Sequence, residues 1–144
     1  MSGYKHILVA ADLIVADDNL VLKRVKDLKK QGNPKISIIH SVEYPSNYGE
    51  SYEVPAFVEW QQELENSAKE RMIKISKDLS IAKEDQHLRI GQAKYQILEV
   101  AEEVGADLIV VGSHARHGLG LLFLGSTANA VLHHAKCDVL AVRV

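Results

Sequence analysis

Short apolar runs alternate with longer amphipathic ones along the whole chain, and this rhythm most narrows what it can fold into. Tyr4 to Ala10 (Y-K-H-I-L-V-A) reads as a buried strand. Asp18 to Lys30 follows, with Val21, Leu22, Val25 and Leu28 on one helical face, and Gly32, Asn33 and Pro34 stop it. Ile36 to Val42 is a second strand. After an irregular stretch from Glu43 to Val54, the residues Phe57, Trp60, Leu64, Ala68, Met72, Ile75 and Leu79 step by three and four, which predicts a long helix. Gln86 to Ile90 is a shorter strand, and Tyr95 to Val104 a helix with Ile97, Leu98, Ala101 and Val104 inward. Asp107 to Val111 (D-L-I-V-V) is an almost wholly apolar strand. A glycine-rich segment, Gly112 to Gly125, leads into a helix from Ser126 to Ala135, and Asp138 to Val144 closes the chain as a strand.

Strands that are apolar on both sides need cover on both sides. The pattern therefore predicts an α/β fold: a single doubly wound domain over residues 1–144, with a five-stranded parallel sheet and helices on both faces. Strand order is not readable from it. The position of a ligand is: beyond the carboxyl ends of the strands, where the winding reverses, near Asp12, Val42, Gly91 and Gly112.

Composition excludes several classes of function. With 144 residues, 47% of them apolar, the chain buries a core without disulfides or metals. Its net charge of −2, with acids and bases interspersed, lacks the basic surplus of a nucleic-acid binder, so no nucleic-acid partner is expected. The cluster Lys23, Arg24, Lys26, Lys29 and Lys30 reads as the wet face of a helix. No stretch approaches the roughly 20 apolar residues of a membrane span. A strand-like run begins almost at the N-terminus, and Cys137 is the one cysteine, so a cytoplasmic protein without signal peptide, disulfide or membrane partner is expected.

The most informative stretch is V-G-S-H-A-R-H-G-L-G-L-L-F-L-G-S-T-A-N, from Val111 to Asn129. The dinucleotide fingerprint G-x-G-x-x-G fails there, because Phe123 occupies the third position after Gly118 and Gly120. The P-loop pattern also fails: Gly120 and Gly125 frame four apolar residues, and no lysine follows to reach a phosphate. A third pattern, G-x-x-G, nine residues, then G-[ST], matches at all but its second glycine, where Ala115 stands. With it come K-H-I-L-V-A-A-D at the start, the strand ending I-I-H, G-x-x-x-x-x-I-L from Gly91, A-D-L-I-V-V-G-S-H, and L-G-S-T-A-N-A-V-L-H-H-A-K-C-D-V-L-A-V-R at the close. In this order and spacing, almost end to end, the chain resembles the universal stress protein family, in the branch carrying an ATP-binding glycine motif.

The resemblance implies an adenine nucleotide, ATP or AMP with magnesium as an accompanying ion, between the first, second and fourth strand ends. Carried over by position, Asp12, next to Ala11, faces the ribose, the main chain around Ser41 and Val42 meets the adenine, and Val111 lines base or sugar. Gly112, Ala115, Gly125, Ser126 and Thr127 surround the phosphates, with His114 and Arg116 of the same segment as candidates to take up phosphate charge. Elementary chemistry points the same way. Glycine lets main chain approach an anion, and the first N–H groups of a helix at Ser126 have no intrahelical acceptor and point at it. Three positions depart from the family's pattern. Ala115 replaces a glycine, at about 1 kcal/mol if φ there is positive. Leu13, Ile14 and Val15 follow Asp12 where a small or hydroxyl residue is common, and Ala93 stands where a proline is common after the Gly91 turn.

No recognised catalytic set accompanies this motif: Asp12 and Arg116 alone are placed to assist hydrolysis, so a non-enzyme with slow turnover at most is expected. His133 and His134 diverge on their helix, and His114 and His117 lack a partnering acid, so no metal site is expected. Cys137 is expected to be a packed thiol, and the aromatics Tyr44, Tyr48, Tyr52, Phe57 and Trp60 to pack over the sheet edge. The apolar terminal strand Val139 to Val144 invites pairing with its own copy, and the family commonly dimerises there, so a homodimer is expected. The function implied is regulatory nucleotide binding in the stress response, in survival of starvation, oxidants or DNA damage. The alternative is a dimeric interaction protein of the same family that has lost its ligand.

Overall fold

Every predicted strand and helix forms, in the predicted order, in a computed structural model that describes residues 3–11, 19–44, 55–113 and 125–143. The elements are β1 (His6–Ala10), α1 (Asn19–Gly32), β2 (Lys35–Val42), α2 (Pro55–Leu79), β3 (Gln86–Ile90), α3 (Ala93–Val104), β4 (Leu108–Ser113), α4 (Ser126–His134) and β5 (Asp138–Arg143). A short 3-10 turn, Lys83–Asp85, which the sequence pattern does not signal, joins α2 to β3. The strands form one parallel sheet in the order β3-β2-β1-β4-β5. The winding therefore reverses between β1 and β4.

The two faces of the sheet are built from alternate residues of the same strands. Ile7, Val9, Ile36, Ile38, Leu108 and Val110 point to one side, where Val21 and Val25 of α1 and Ala68, Met72 and Leu79 of α2 cover them. Leu8, Ile39, Ile109 and Val111 point to the other, under Ile97, Val100 and Ala101 of α3 and Ala128 and Val131 of α4. Ile7, Leu8, Ile38 and Ile109 are inaccessible to solvent. Each such side chain is worth about 1.5–3 kcal/mol of transfer free energy, which is why these strands read as continuous apolar runs rather than alternating ones.

Among the boundaries that differ from the sequence reading, two involve glycines. Gly32 stays inside α1, and Asn33 takes the left-handed conformation (φ 49°) that ends it, its N–H reaching Lys29 O at 2.9 Å. β4 runs on through Gly112 and Ser113, which pair with Val142 and Arg143 of β5. The glycine-rich segment thus begins inside the sheet, because β5 is long enough to hold it there.

The amino-terminal edge of the sheet is clasped by side chains. The Asp107 carboxylate accepts the N–H groups of Lys5 (2.9 Å) and His6 (3.0 Å), and Tyr4 Oη donates to Asp138 Oδ2 at 2.8 Å. Burial alone pushes the Asp107 carboxyl up, but these N–H donors outweigh it and hold the group below the ordinary carboxylate range. Tyr44 packs on Trp60 (ring centroids 5.9 Å apart) and Phe57 on Trp60 (5.6 Å), and Tyr44 lies against the α1–α2 side of the core. Tyr48 and Tyr52 lie outside the described residues. Cys137 is half-buried against the α3–α4 side of the core, and burial, then Asp138 and Asp107, raise its thiol pKa. It is a packed thiol rather than an activated one.

Candidate functional site

β1 and β4 are partners at the centre of the sheet, but they part at its carboxyl edge. Their pairing ends at Val9–Val110. Beyond it β1 stays with β2, through Ala10–Ile39 and an Ala11 N–H to Ile39 O bond of 3.0 Å. β4 stays with β5 as far as Ser113–Arg143. β1 and β4 therefore diverge at the carboxyl edge while each stays anchored on its outer side, and it is in the crevice at this place that parallel sheets of this winding receive ligands.

The residues singled out from sequence can be placed around that crevice. Ala11 directly follows β1 and is buried. Ser41 and Val42 end β2, half-buried and buried. Val111 and Gly112 lie on β4 beyond its pairing with β1. Asp12, His114, Ala115 and Arg116 lie outside the described residues, as does the apolar run Leu119 to Leu124.

Gly125 precedes α4 with φ 60° and ψ 149°, a conformation essentially reserved for glycine. Having no side chain, it leaves the start of α4 uncapped, and the first main-chain bond into the helix is Asn129 N–H to Gly125 O at 3.0 Å. The N–H groups of Ser126, Thr127 and Ala128 therefore have no intrahelical acceptor. Because α4 returns the chain to the start of β5, parallel to β4, its amino end lies at the sheet's carboxyl edge. Its partial positive charge falls on the crevice side of the molecule.

Two residues that shape this edge, His40 and Glu43, were not assigned a role from sequence. His40 is buried (8% exposed), and its Nδ1 donates to Ala11 O at 2.8 Å, fixing the main chain just before Asp12. Gly91 turns from β3 into α3 with φ 138°, and Glu43 reaches the first N–H of α3. His40 was visible only as the end of the I-I-H run; a histidine closing an otherwise apolar strand is the signal that could have marked it.

Among the described residues there is no group of three or more His, Cys, Asp or Glu able to hold a metal ion. No helix among them is long and apolar enough to cross a membrane. A cavity of about 500 Å³ lies elsewhere, lined by Leu98, Ala101, Ala106, Ile109, Ala135 and Cys137. It sits at the amino ends of β4 and β5, the opposite edge from the crevice.

Residues 3–143 match the model of the universal stress protein family. The chain is 48% identical over 144 residues to universal stress protein A homolog 2 of Coxiella burnetii, covering 100% of this chain and 98% of that one. It is 39% identical to universal stress protein A homolog 1 of the same organism, over 96% of each chain. Among solved structures, the hypothetical protein MJ0577 superposes with a TM-score of 0.80 at 26% identity, over 99% of this chain and 98% of that one. A universal stress protein in complex with cAMP superposes with a TM-score of 0.60 at 26% identity, over 99% and 98%. Sheet order, the uncapped glycine before α4 and near end-to-end likeness agree: the chain belongs to the universal stress protein family.

Proposed function

We propose that this protein binds an adenine nucleotide, ATP or AMP with magnesium, in the crevice between β1 and β4, and that occupancy serves regulation in the stress response rather than turnover. The observation that carries this reading is the parting of β1 from β4 beyond Val9–Val110, with the bare N–H groups of Ser126, Thr127 and Ala128 at the same edge. An elongated ligand with an anionic tail suits that arrangement: a flat base against the main chain of Ser41 and Val42, a ribose near Ala11 and Asp12, and phosphates toward Gly112 and Gly125 to Thr127. Ala115, His114 and Arg116 complete the phosphate side in this reading. The cAMP bound by a family neighbour is a ligand of the same chemistry. Titration of ATP, AMP and cAMP into the purified protein by calorimetry tests it. Saturable binding of at least one supports the reading, and absence of heat for all three with no nucleotide carried through purification overturns it. Repeating the titration with Ala115→Gly should tighten binding about fivefold if that position needs a positive φ.

The protein acts in this reading as a cytoplasmic homodimer through β5. As an edge strand with Val139, Leu140, Ala141 and Val142 half-buried, β5 offers apolar side chains and an unpaired main-chain rim to a second copy. A monomeric mass by light scattering at micromolar concentration would exclude that assembly.

A further inference from the structure

Three consecutive residues at the end of β2 hold the turn between β3 and α3. Ser41 Oγ donates to Gly91 O at 2.6 Å, Gly91 N–H donates to Val42 O at 3.0 Å, and Ala93 N–H donates to Glu43 Oε1 at 2.5 Å. Both main-chain groups of Gly91 are thus engaged by β2. Gly91 is held at φ 138°, a conformation that L side chains rarely adopt, so another residue there would strain the turn.

The third bond is the unusual one. The residue before α3, Gln92, makes no side-chain cap, and the first turn of α3 carries no acid of its own. An acceptor for the free N–H groups, and a negative charge for the positive end of the helix, come instead from the adjacent strand. This bond requires a donor at position 93. Proline there would have none; alanine does.

We propose that Glu43 is a positioning residue. Its clamp on Ala93 N–H fixes the main chain of Ser41 and Val42 in the shape that meets the base. This role rests on the nucleotide reading above; the clamp itself does not. Occupancy of the base position and the first turn of α3 are then coupled through one carboxylate.

The test is a double-mutant cycle of Glu43→Ala and Ala93→Pro, with Glu43→Gln as the conservative variant. Ala93→Pro removes only the donor, because Ala93 is the first helical residue, where proline is well tolerated, and Gln92 before it is extended (φ −72°, ψ 128°). Each single variant should weaken AMP binding about three- to fivefold, the double no more than either, and Glu43→Gln should keep most of the affinity. The AMP-over-GMP preference should shrink in Glu43→Ala, whereas affinity for ribose 5-phosphate, which has no base, should not move. Full additivity of the two substitutions, or equal losses for AMP and ribose 5-phosphate, overturns the proposal. If the parent protein binds no adenylate, the base-positioning role falls with the nucleotide reading. The same cycle read in thermal unfolding then decides the clamp alone.

Discussion

The imidazole of His40 and the carbonyl of Ala11 meet at the carboxyl edge of the sheet, Nδ1 to oxygen 2.8 Å, with both residues buried. β1 has left β4 by this point, so a side chain from β2 helps to hold the chain where strand pairing no longer reaches on that side.

His40→Leu keeps the apolar bulk and removes the donor, leaving a buried carbonyl without this partner. A loss of about 1–3 kcal/mol is expected in urea unfolding. Adenylate affinity should fall with it, because the main chain entering Asp12 loses its anchor. Unchanged stability would show that the carbonyl finds water or another donor.

Gly125→Ala forces a Cβ into a conformation with φ 60° and ψ 149°. Strain of about 1–3 kcal/mol is expected, expressed as lower stability or as a displaced start of α4. In either case phosphate-bearing ligands should bind at least fivefold more weakly while circular dichroism stays native. Unchanged affinity for ATP would separate α4 from the phosphate site.

Stability should decline as pH falls below about 6.5. Burial first, then Lys35, lowers the His6 pKa from its ordinary 6.5, while burial first, then Arg89, lowers that of His87. His6 Nε2 lies 2.7 Å from Ser37 Oγ, and His87 Nε2 is buried without a hydrogen-bond partner. With folded-state values below unfolded ones, the unfolded chain takes up protons first. The stabilisation is therefore complete above about 6.5 and is lost as pH falls through the folded-state values. Urea midpoints at pH 7.5 and 5.5 should differ by less in a His6→Gln, His87→Gln variant than in the parent. Asp107, whose carboxyl is held below its ordinary 3.8, adds a loss in the same direction only at lower pH.

Ile38→Ala removes a side chain with no exposed surface from the centre of β2, with an expected loss of about 2–5 kcal/mol. Ile73→Ala, on a residue 51% exposed, should change stability by no more than about 0.5 kcal/mol. Similar losses at both positions would contradict the assignment of the α1–α2 side of the core.

Much of this molecule was legible in one dimension. Leu8 and Ile109 read as strand centres because their neighbours are apolar on both sides, and the long helix read from the three-and-four spacing of Phe57 to Leu79 because that period is local. The glycine motif marked Gly125 before any fold was known, and the structure shows why the position takes glycine. His40 and Glu43 were not legible in the same way. Their partners, Ala11 and Ala93, lie 29 and 50 residues away, and no local pattern encodes a hydrogen bond across such a separation.

Sequence alone determined the elements, their order and the glycine-bearing turn, because propensity, hydrophobic period and φ preference act within a few residues of one another. The order β3-β2-β1-β4-β5, the parting of β1 from β4 and the clamp of Glu43 on α3 were decided only by tertiary structure. They depend on which apolar face covers which strand, and that is settled when distant segments bury their surfaces together.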